Sequence, residues 1–218
     1  MADNLLKDVV DRSQLVLFDF DGPVCDVFAG KPASLIARQL EKHLSEPIDT
    51  DDPLAVLQES IRHSQSAVEA MEQELVAAER DAIKSASATP GGIESIESAL
   101  KSGRKVGILS NNSPAAIEDY LNRFDLTTRM AIIVGRIPCR PDLMKPNPYG
   151  LLHALSTTGI ASKEALLIGD SVTDIQAAKA VGAPAVGYVN KPAKKDSLEK
   201  AGASATVRSM FEMRDALH

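Results

Sequence analysis

The sequence predicts a doubly wound α/β protein carrying a helical insert, and three observations support that prediction. Short apolar runs recur along the chain, helical patterns alternate with them, and one long helix-prone stretch interrupts the alternation after the first run. The runs are Leu15 to Phe18, Val106 to Leu109, Ala131 to Val134 and Ala165 to Ile168, with a weaker fifth from Ala185 to Val189. Each is almost continuously apolar, as strands buried on both faces of a parallel sheet must be.

The connecting helices follow in order. Pro114 to Phe124 sets Ile117, Leu121 and Phe124 at helical spacing behind a Ser113-Pro114 start, a common way to begin a helix. Tyr149 to Leu155 follows Pro146-Asn147-Pro148, and Ile175 to Val181 follows Gly169-Asp170-Ser171. Strand–helix–strand repetition of this kind makes a parallel sheet with helices on both faces. The interval between Phe18 and Val106 is different. One helix, Ile93 to Leu100, suffices to return the chain to the sheet, and the remainder is polar and helix-prone. Ser34 to Leu44 and Pro53 to Arg62 read as helices. Val68, Met71, Leu75 and Ala78 recur at helical spacing, with Glu69, Glu72 and Glu74 between them. Such a stretch is too long for a structureless loop in a compact domain, so it reads as an inserted helical bundle. Gly91-Gly92 after Pro90 reads as a hinge back into the main domain. The expected division is a core of residues 1–23 and 89–218 and an insert of residues 24–88.

Composition narrows the partners. The chain has 218 residues, 44% hydrophobic and 25% charged, the profile of a globular protein of one ordinary domain plus a small insert. Its 24 Lys+Arg against 30 Asp+Glu leave a net charge of −6, which repels nucleic acid and anionic membrane. Trp is absent and aromatics are 4%, so stacking platforms for single strands are lacking. No apolar run approaches the roughly 20 residues of a membrane span. The first residues, Met1-Ala2-Asp3-Asn4, carry acid where a signal peptide carries base. Cys25 and Cys139 form neither a metal spacing nor a disulfide framework. A cytoplasmic monomer or homodimer is the simplest expectation.

Ligands of an open parallel sheet bind at the carboxyl ends of its strands. Asp19-Phe20-Asp21-Gly22 follows the first run, Ser110-Asn111-Asn112-Ser113 the second, and Gly169-Asp170-Ser171-Val172-Thr173-Asp174 the fourth. Lys145-Pro146-Asn147-Pro148 precedes the helix after the third. Asp19, Asp21, Asp170 and Asp174 would converge on one site. Ionised carboxylates crowded together raise one another's pKa unless a cation intervenes. A hard oxygen donor set without Cys or His suits Mg²⁺. A cation beside the Ser110 hydroxyl, backbone N–H groups and Lys145 suits phosphoryl transfer. One Asp would serve as nucleophile, and a second, two residues on, would protonate the leaving oxygen and then activate water.

These four motifs, in this order and strand context, resemble those of the haloacid dehalogenase-like hydrolase superfamily across nearly the whole chain. The resemblance implies a Rossmann-like core and reads the insert as a helical C1 cap. It implies Asp19 as nucleophile and Mg²⁺ ligand, and Asp21 as general acid/base with its carbonyl on the metal. It implies Ser110 and the Asn111 N–H as phosphoryl binders and Lys145 as the neutralising cation. Asp170 would be a direct metal ligand, with Asp174 supporting it or its waters; Asp26 would have no catalytic role. Asp21 favours phosphoryl transfer over dehalogenation, because departing halide needs no proton. Pro23 stands where the family usually has Thr and brings neither hydroxyl nor N–H.

The expected activity is hydrolysis of a small phosphorylated metabolite. The alternatives are a phosphomutase resembling β-phosphoglucomutase, a phosphonate hydrolase using an amine such as Lys31, Lys42 or Lys84, and a non-catalytic phosphoacceptor or binding module. Cys25 reads as a packing residue. Arg38, His43, Arg62 and His63 read as solvated helix faces, and Lys191, Lys194 and Lys195 as solvated surface.

Overall fold

Alternation within the first strand, β1 (Leu15–Phe18), builds both faces of the sheet at once. In the computed structural model, which describes residues 2–218 and side chains from residue 5 onward, Val16 and Phe18 point into one apolar cluster and Leu15 and Leu17 into another. That is the period-2 geometry of a strand covered on both sides. The strand pairs in parallel with β4 (Lys105–Leu109) and with β6 (Ala165–Gly169). Beyond these lie β5 (Ile132–Val134), β7 (Ala185–Tyr188) and β8 (Ala205–Val207), giving the order β5-β4-β1-β6-β7-β8 with every pairing parallel.

Helices α1 (Ala2–Asp11), α5 (Gly92–Lys101), α6 (Pro114–Asn122) and α10 (Met210–Leu217) cover the Val16 face, contributing Val10, Ile96, Tyr120 and Met213. Helices α7 (Tyr149–Thr158), α8 (Val172–Ala180) and α9 (Lys195–Ala201) cover the Leu17 face through Leu151, Ile175 and Leu198. The first helix, the last strand and the last two helices are additions to the sequence-based expectation. Ala205 to Val207 is too short, and its flanks too polar, to register as an apolar run.

The insert is helical. It holds α2 (Ala33–Leu40), α3 (Pro53–Glu59) and α4 (Gln65–Ile83), with short 3₁₀ turns after α2 and α3. Ile36, Leu40, Val56, Leu57, Met71 and Leu75 form its own apolar cluster, joined by Met144 from the core. Asp52 caps α3 by accepting from the Leu54 N–H at 2.9 Å, and Ser64 caps α4. Two short strands that periodicity did not reveal, β2 (Cys25–Asp26) and β3 (Ser87–Ala88), pair antiparallel and bring the two ends of the insert together.

Gly92 begins α5 where a Cβ would lie 2.5 Å from the Pro23 carbonyl oxygen, so this glycine permits close packing of the return segment. Among the described residues no helix is long and apolar enough to cross a membrane.

Candidate active site

The chain winds outward in both directions from β1, leaving a crevice at that strand's carboxyl end. Asp19 follows β1, Ser110 follows β4 and Asp170 follows β6, so three strand ends deliver polar side chains to one place. Lys145 arrives from the segment between β5 and α7. Its ammonium lies 2.9 Å from Asp19 Oδ1, 2.5 Å from Asp174 Oδ1 and 3.1 Å from the Leu109 carbonyl. Three acceptors match the three N–H bonds of a lysine, so the buried cation is fully satisfied. Asn111 clasps the Lys145 backbone from both sides: its Oδ1 accepts from Lys145 N at 2.8 Å and its Nδ2 donates to Lys145 O at 3.2 Å.

Asp19, Asp170 and Asp174 each offer a carboxylate oxygen, all within 4.8 Å of one another. Lys145 alone does not balance them, and the all-oxygen donor set fits a hard divalent cation such as Mg²⁺. Asp174 is the most committed of the three. Its Oδ2 accepts from the Ser171 N–H at 3.0 Å and hydroxyl at 2.7 Å, closing the capping box of α8, while Oδ1 holds Lys145. Asp170 accepts at Oδ2 from Asn190 Nδ2 at 2.7 Å and from Lys194 Nζ at 2.5 Å. The solvated-surface reading of Lys194 is thus corrected: the turn after β7 carries its ammonium onto a site carboxylate. Lys195 pairs with Glu199 on its own helix, and Lys191 lines a neighbouring cavity of about 490 Å³.

Asp21 sits in the turn beyond Asp19, its Oδ1 accepting from the Val27 N–H at 3.0 Å. Gly22 has φ of +102°, and a Cβ there would fall 2.6 to 2.9 Å from the Asp170 carboxyl atoms. Gly22→Ala is therefore expected to cost about 1–3 kcal/mol in strain and to displace Asp170. Thermal unfolding together with Mg²⁺ calorimetry checks this; native values for both would refute it. The Thr89 hydroxyl donates to the Gly22 carbonyl at 2.6 Å, so a hydroxyl does reach this turn although Pro23 supplies none.

Ser110 is buried. Its Oγ donates to Asn112 Oδ1 at 3.0 Å and accepts from the Asn112 N–H at 3.2 Å. Asp19, Asp21, Ser110, Asn111, Lys145 and Asp170 all face one cavity of about 290 Å³, roofed by Leu54, Ala55 and Gln58 of α3. Asp174 lies beneath this floor.

A family model described as haloacid dehalogenase-like hydrolase matches residues 16–188. The chain belongs to this family. Phosphoglycolate phosphatases of Salmonella paratyphi A and Escherichia coli are each 34% identical to it, over 86 and 85 residues. Each match spans 39% of this chain and 33% of the relative, about a third of the relative's length. Among solved structures, a Bacteroides vulgatus protein described provisionally as a β-phosphoglucomutase superposes with a TM-score of 0.75 at 18% identity, covering 99% of this chain and 97% of that one. A hydrolase from Pseudomonas syringae gives 0.75 at 21% identity, covering 93% and 96%. These likenesses carry the haloacid dehalogenase-like fold.

Within this haloacid dehalogenase-like site, burial controls the acids. Desolvation raises the Asp19 carboxyl to about 8, aided by Asp174 and Asp170 and opposed by Lys145. Desolvation likewise raises Asp21 to about 6, opposed by the Val27 N–H. Cys25 is buried, and its thiol is pushed up by desolvation and the neighbouring acids, which suits packing rather than nucleophilic attack. Arg38, His43, Arg62, His63, Lys31, Lys42 and Lys84 are absent from the lining of the cavity of about 290 Å³. His43 faces Glu74, Arg62 faces Glu59, and Lys31 and Lys84 share Asp81.

The Asp19 value dictates a stability trend. Folded Asp19 holds a proton that the unfolded chain, with an ordinary carboxyl near 4, releases. Metal-free protein therefore loses stability as pH rises from about 4 to 8, by up to about 1.4 kcal/mol per unit, and levels off above. Melting temperatures in EDTA should fall over that window, and Mg²⁺ should cancel the fall by displacing the proton. A flat profile in EDTA would mean that Asp19 is already ionised.

Sequence reasoning overlooked Arg136 and Glu79 and placed Glu72 among the polar residues between the apolar positions of its helix. Arg136 is buried between the two glutamates of α4, with Nε 3.0 Å from Glu72 Oε1 and Nη1 2.9 Å from Glu79 Oε1. The available signal was that Glu72 and Glu79 stand four residues after Val68 and Leu75, on the apolar face of their helix.

Proposed function

We propose that this chain is a divalent-cation-dependent phosphatase that hydrolyses a small phosphate monoester through an aspartyl-phosphate on Asp19. The observation that carries the reading is the presence of Asp19, Asp21, Ser110, Lys145 and Asp170 around one cavity of about 290 Å³. Asp19 attacks phosphorus in its ionised form, and Asp21, raised to about 6, gives its proton to the departing ester oxygen as the ester bond breaks. The Asp21 carboxylate so formed takes a proton from water as that water attacks the phosphoryl group on Asp19, breaking the Asp19 oxygen–phosphorus bond to release inorganic phosphate and restore the Asp19 carboxylate. The Ser110 hydroxyl turns its proton from Asn112 Oδ1 to a phosphoryl oxygen, while its Oγ keeps the bond from the Asn112 N–H. Asn111 spends its side chain on Lys145 and has its backbone N–H to give to the phosphoryl group. Lys145 neutralises charge on the nucleophile and on the transferring group.

A bound Mg²⁺ would be held by Asp19, Asp170 and the Asp21 carbonyl, with Asp174 supporting it through Lys145, and would neutralise phosphoryl oxygens. Residues 24–88 serve as a cap over a core of residues 1–23 and 89–218, with α3 excluding bulk water. The substrate is a small phosphorylated metabolite, and the acidic chain with its two free cysteines suits a reducing cytoplasm.

Steady-state phosphate release from a panel of small esters with Mg²⁺, beside an EDTA control, tests the reading. Turnover of one or a few esters that EDTA abolishes is the expected result. Isomerisation of a sugar phosphate without phosphate release would replace water with a sugar hydroxyl as acceptor. Indifference to EDTA would reject the cation.

A further inference from the structure

The Arg136 cluster joins the insert to the core. Glu72 and Glu79 lie two turns apart on α4, and the Arg136 guanidinium fills the gap between them. Nε reaches both Glu72 oxygens at 3.0 and 3.1 Å, while Nη1 and Nη2 reach the Glu79 oxygens at 2.9 and 3.2 Å. The Arg136 and Glu79 side chains are fully buried and Glu72 nearly so. Stability alone does not account for such a cluster, because well-packed apolar residues of similar volume often do as well or better than buried ion groups. Its geometry gives a more specific account.

Apart from the Cys139 N–H, which donates to Glu72 Oε2 at 3.4 Å, the contacts that are not ion pairs go to the loop after β4. Arg136 Nη1 donates to the Asn111 carbonyl at 2.8 Å. Glu79 Oε1 accepts from Asn112 Nδ2 at 3.2 Å, and Oε2 accepts from the Ser113 N–H at 3.0 Å. Asn112 in turn holds the Ser110 hydroxyl through its Oδ1 and its N–H. A continuous chain of hydrogen bonds therefore runs from a helix of the insert to the serine that faces the catalytic cavity. Without Glu79, the Asn112 amide loses its only described acceptor, and amide and serine are free to turn.

We propose that Glu79, held by Arg136, is a positioning residue that completes the phosphate-binding loop Ser110–Ser113 only when the insert is seated on the core. The proposal rests on the phosphatase reading, since it treats that loop as the phosphoryl site. Neither residue touches the phosphoryl group, so their effect passes through Asn112 and Ser110.

Glu79→Gln removes the charge that organises the loop, and Asn112→Ala removes the amide link between Glu79 and Ser110 while leaving the Arg136–Glu79 pair in place. Leu217→Ala, at the buried last residue of α10, is a destabilised control remote from the loop. Inorganic phosphate is titrated into each protein by calorimetry with saturating Mg²⁺, and Mg²⁺ affinity, melting temperature and kcat/KM on esters with different leaving groups are recorded. Glu79→Gln and Asn112→Ala are expected to weaken phosphate about 10- to 100-fold and to lower kcat/KM by a similar factor for every ester, with Mg²⁺ affinity unchanged. Leu217→Ala is expected to lower the melting temperature alone. Native phosphate affinity in Asn112→Ala overturns the proposal even if Glu79→Gln fails to fold, as does a loss in Leu217→Ala equal to theirs. A native protein that binds no phosphate defeats the phosphatase reading and this proposal together; native binding with unmoved variants defeats this proposal alone.

Discussion

Asp19→Asn is expected to lower ester hydrolysis by on the order of 10⁴- to 10⁶-fold while raising thermal stability in the absence of metal. The two effects share one cause. Asp19 is the buried group that would attack phosphorus, and an amide has neither the charge nor the lone-pair basicity to replace it. The same carboxyl is desolvated and faces Asp174 and Asp170, which hold it at about 8 against the help of Lys145. Asn keeps an oxygen to accept from the Phe20 N–H, a 2.7 Å bond in the native protein, and removes the charge. The stability gain should be largest near pH 8 and above, where the native carboxyl is ionised, and should vanish below about pH 4, where both folded and unfolded chains hold the proton. Parallel melting curves in EDTA, with turnover measured in Mg²⁺, read both quantities. Retained turnover would remove Asp19 from the role of nucleophile. Such opposition between stability and activity is usual where a site concentrates like charge.

Lys145→Met is expected to act in the same direction on both quantities. Removing the ammonium leaves Asp19 and Asp174 without their shared cation at 2.9 and 2.5 Å. Breaking a buried pair by deleting one partner typically costs about 3–5 kcal/mol. Desolvation opposes the lysine's charge, but the two aspartates outweigh it and raise its pKa above the ordinary value. Its contribution is therefore present throughout the range below about 10 and is lost only above. Loss of the charge that would face the transferring phosphoryl group should lower kcat by about 10²- to 10³-fold. Circular dichroism and phosphate release check the two halves. A variant as stable as the native chain would mean that the aspartates are neutralised by another route.

Much of the core was legible because buried parallel strands leave a local trace. Leu15 to Phe18 and Ala165 to Ile168 are apolar on both faces, and both form central strands. The chemistry-bearing residues were legible for a related reason. A strand that ends in Asp19 or Ser110 must deliver it to the carboxyl edge, whatever the rest of the chain does. The short edge strand Ala205 to Val207 left no such trace, because an edge strand is covered less and tolerates polar residues. Strands Cys25–Asp26 and Ser87–Ala88 are two residues each, too short for any period to register.

Partnerships between distant side chains were beyond local pattern. Lys194 sat among three lysines that read alike, and only the turn after β7 brings it, rather than Lys191 or Lys195, to Asp170. Arg136 and Glu79 are separated by 57 residues, and the place of Glu79 on the apolar face of α4 does not say which cation it meets. The sequence by itself determined the layering of the sheet, the helical insert and the set of acids, serine and lysine at the strand ends. It could do so because strand burial and strand direction are encoded within a few residues. The tertiary structure alone decided which carboxylate takes which cation, which helix roofs the cavity and which buried charges brace the loop. Those outcomes depend on contacts of long sequence separation, where geometry and desolvation act on groups that share no local pattern.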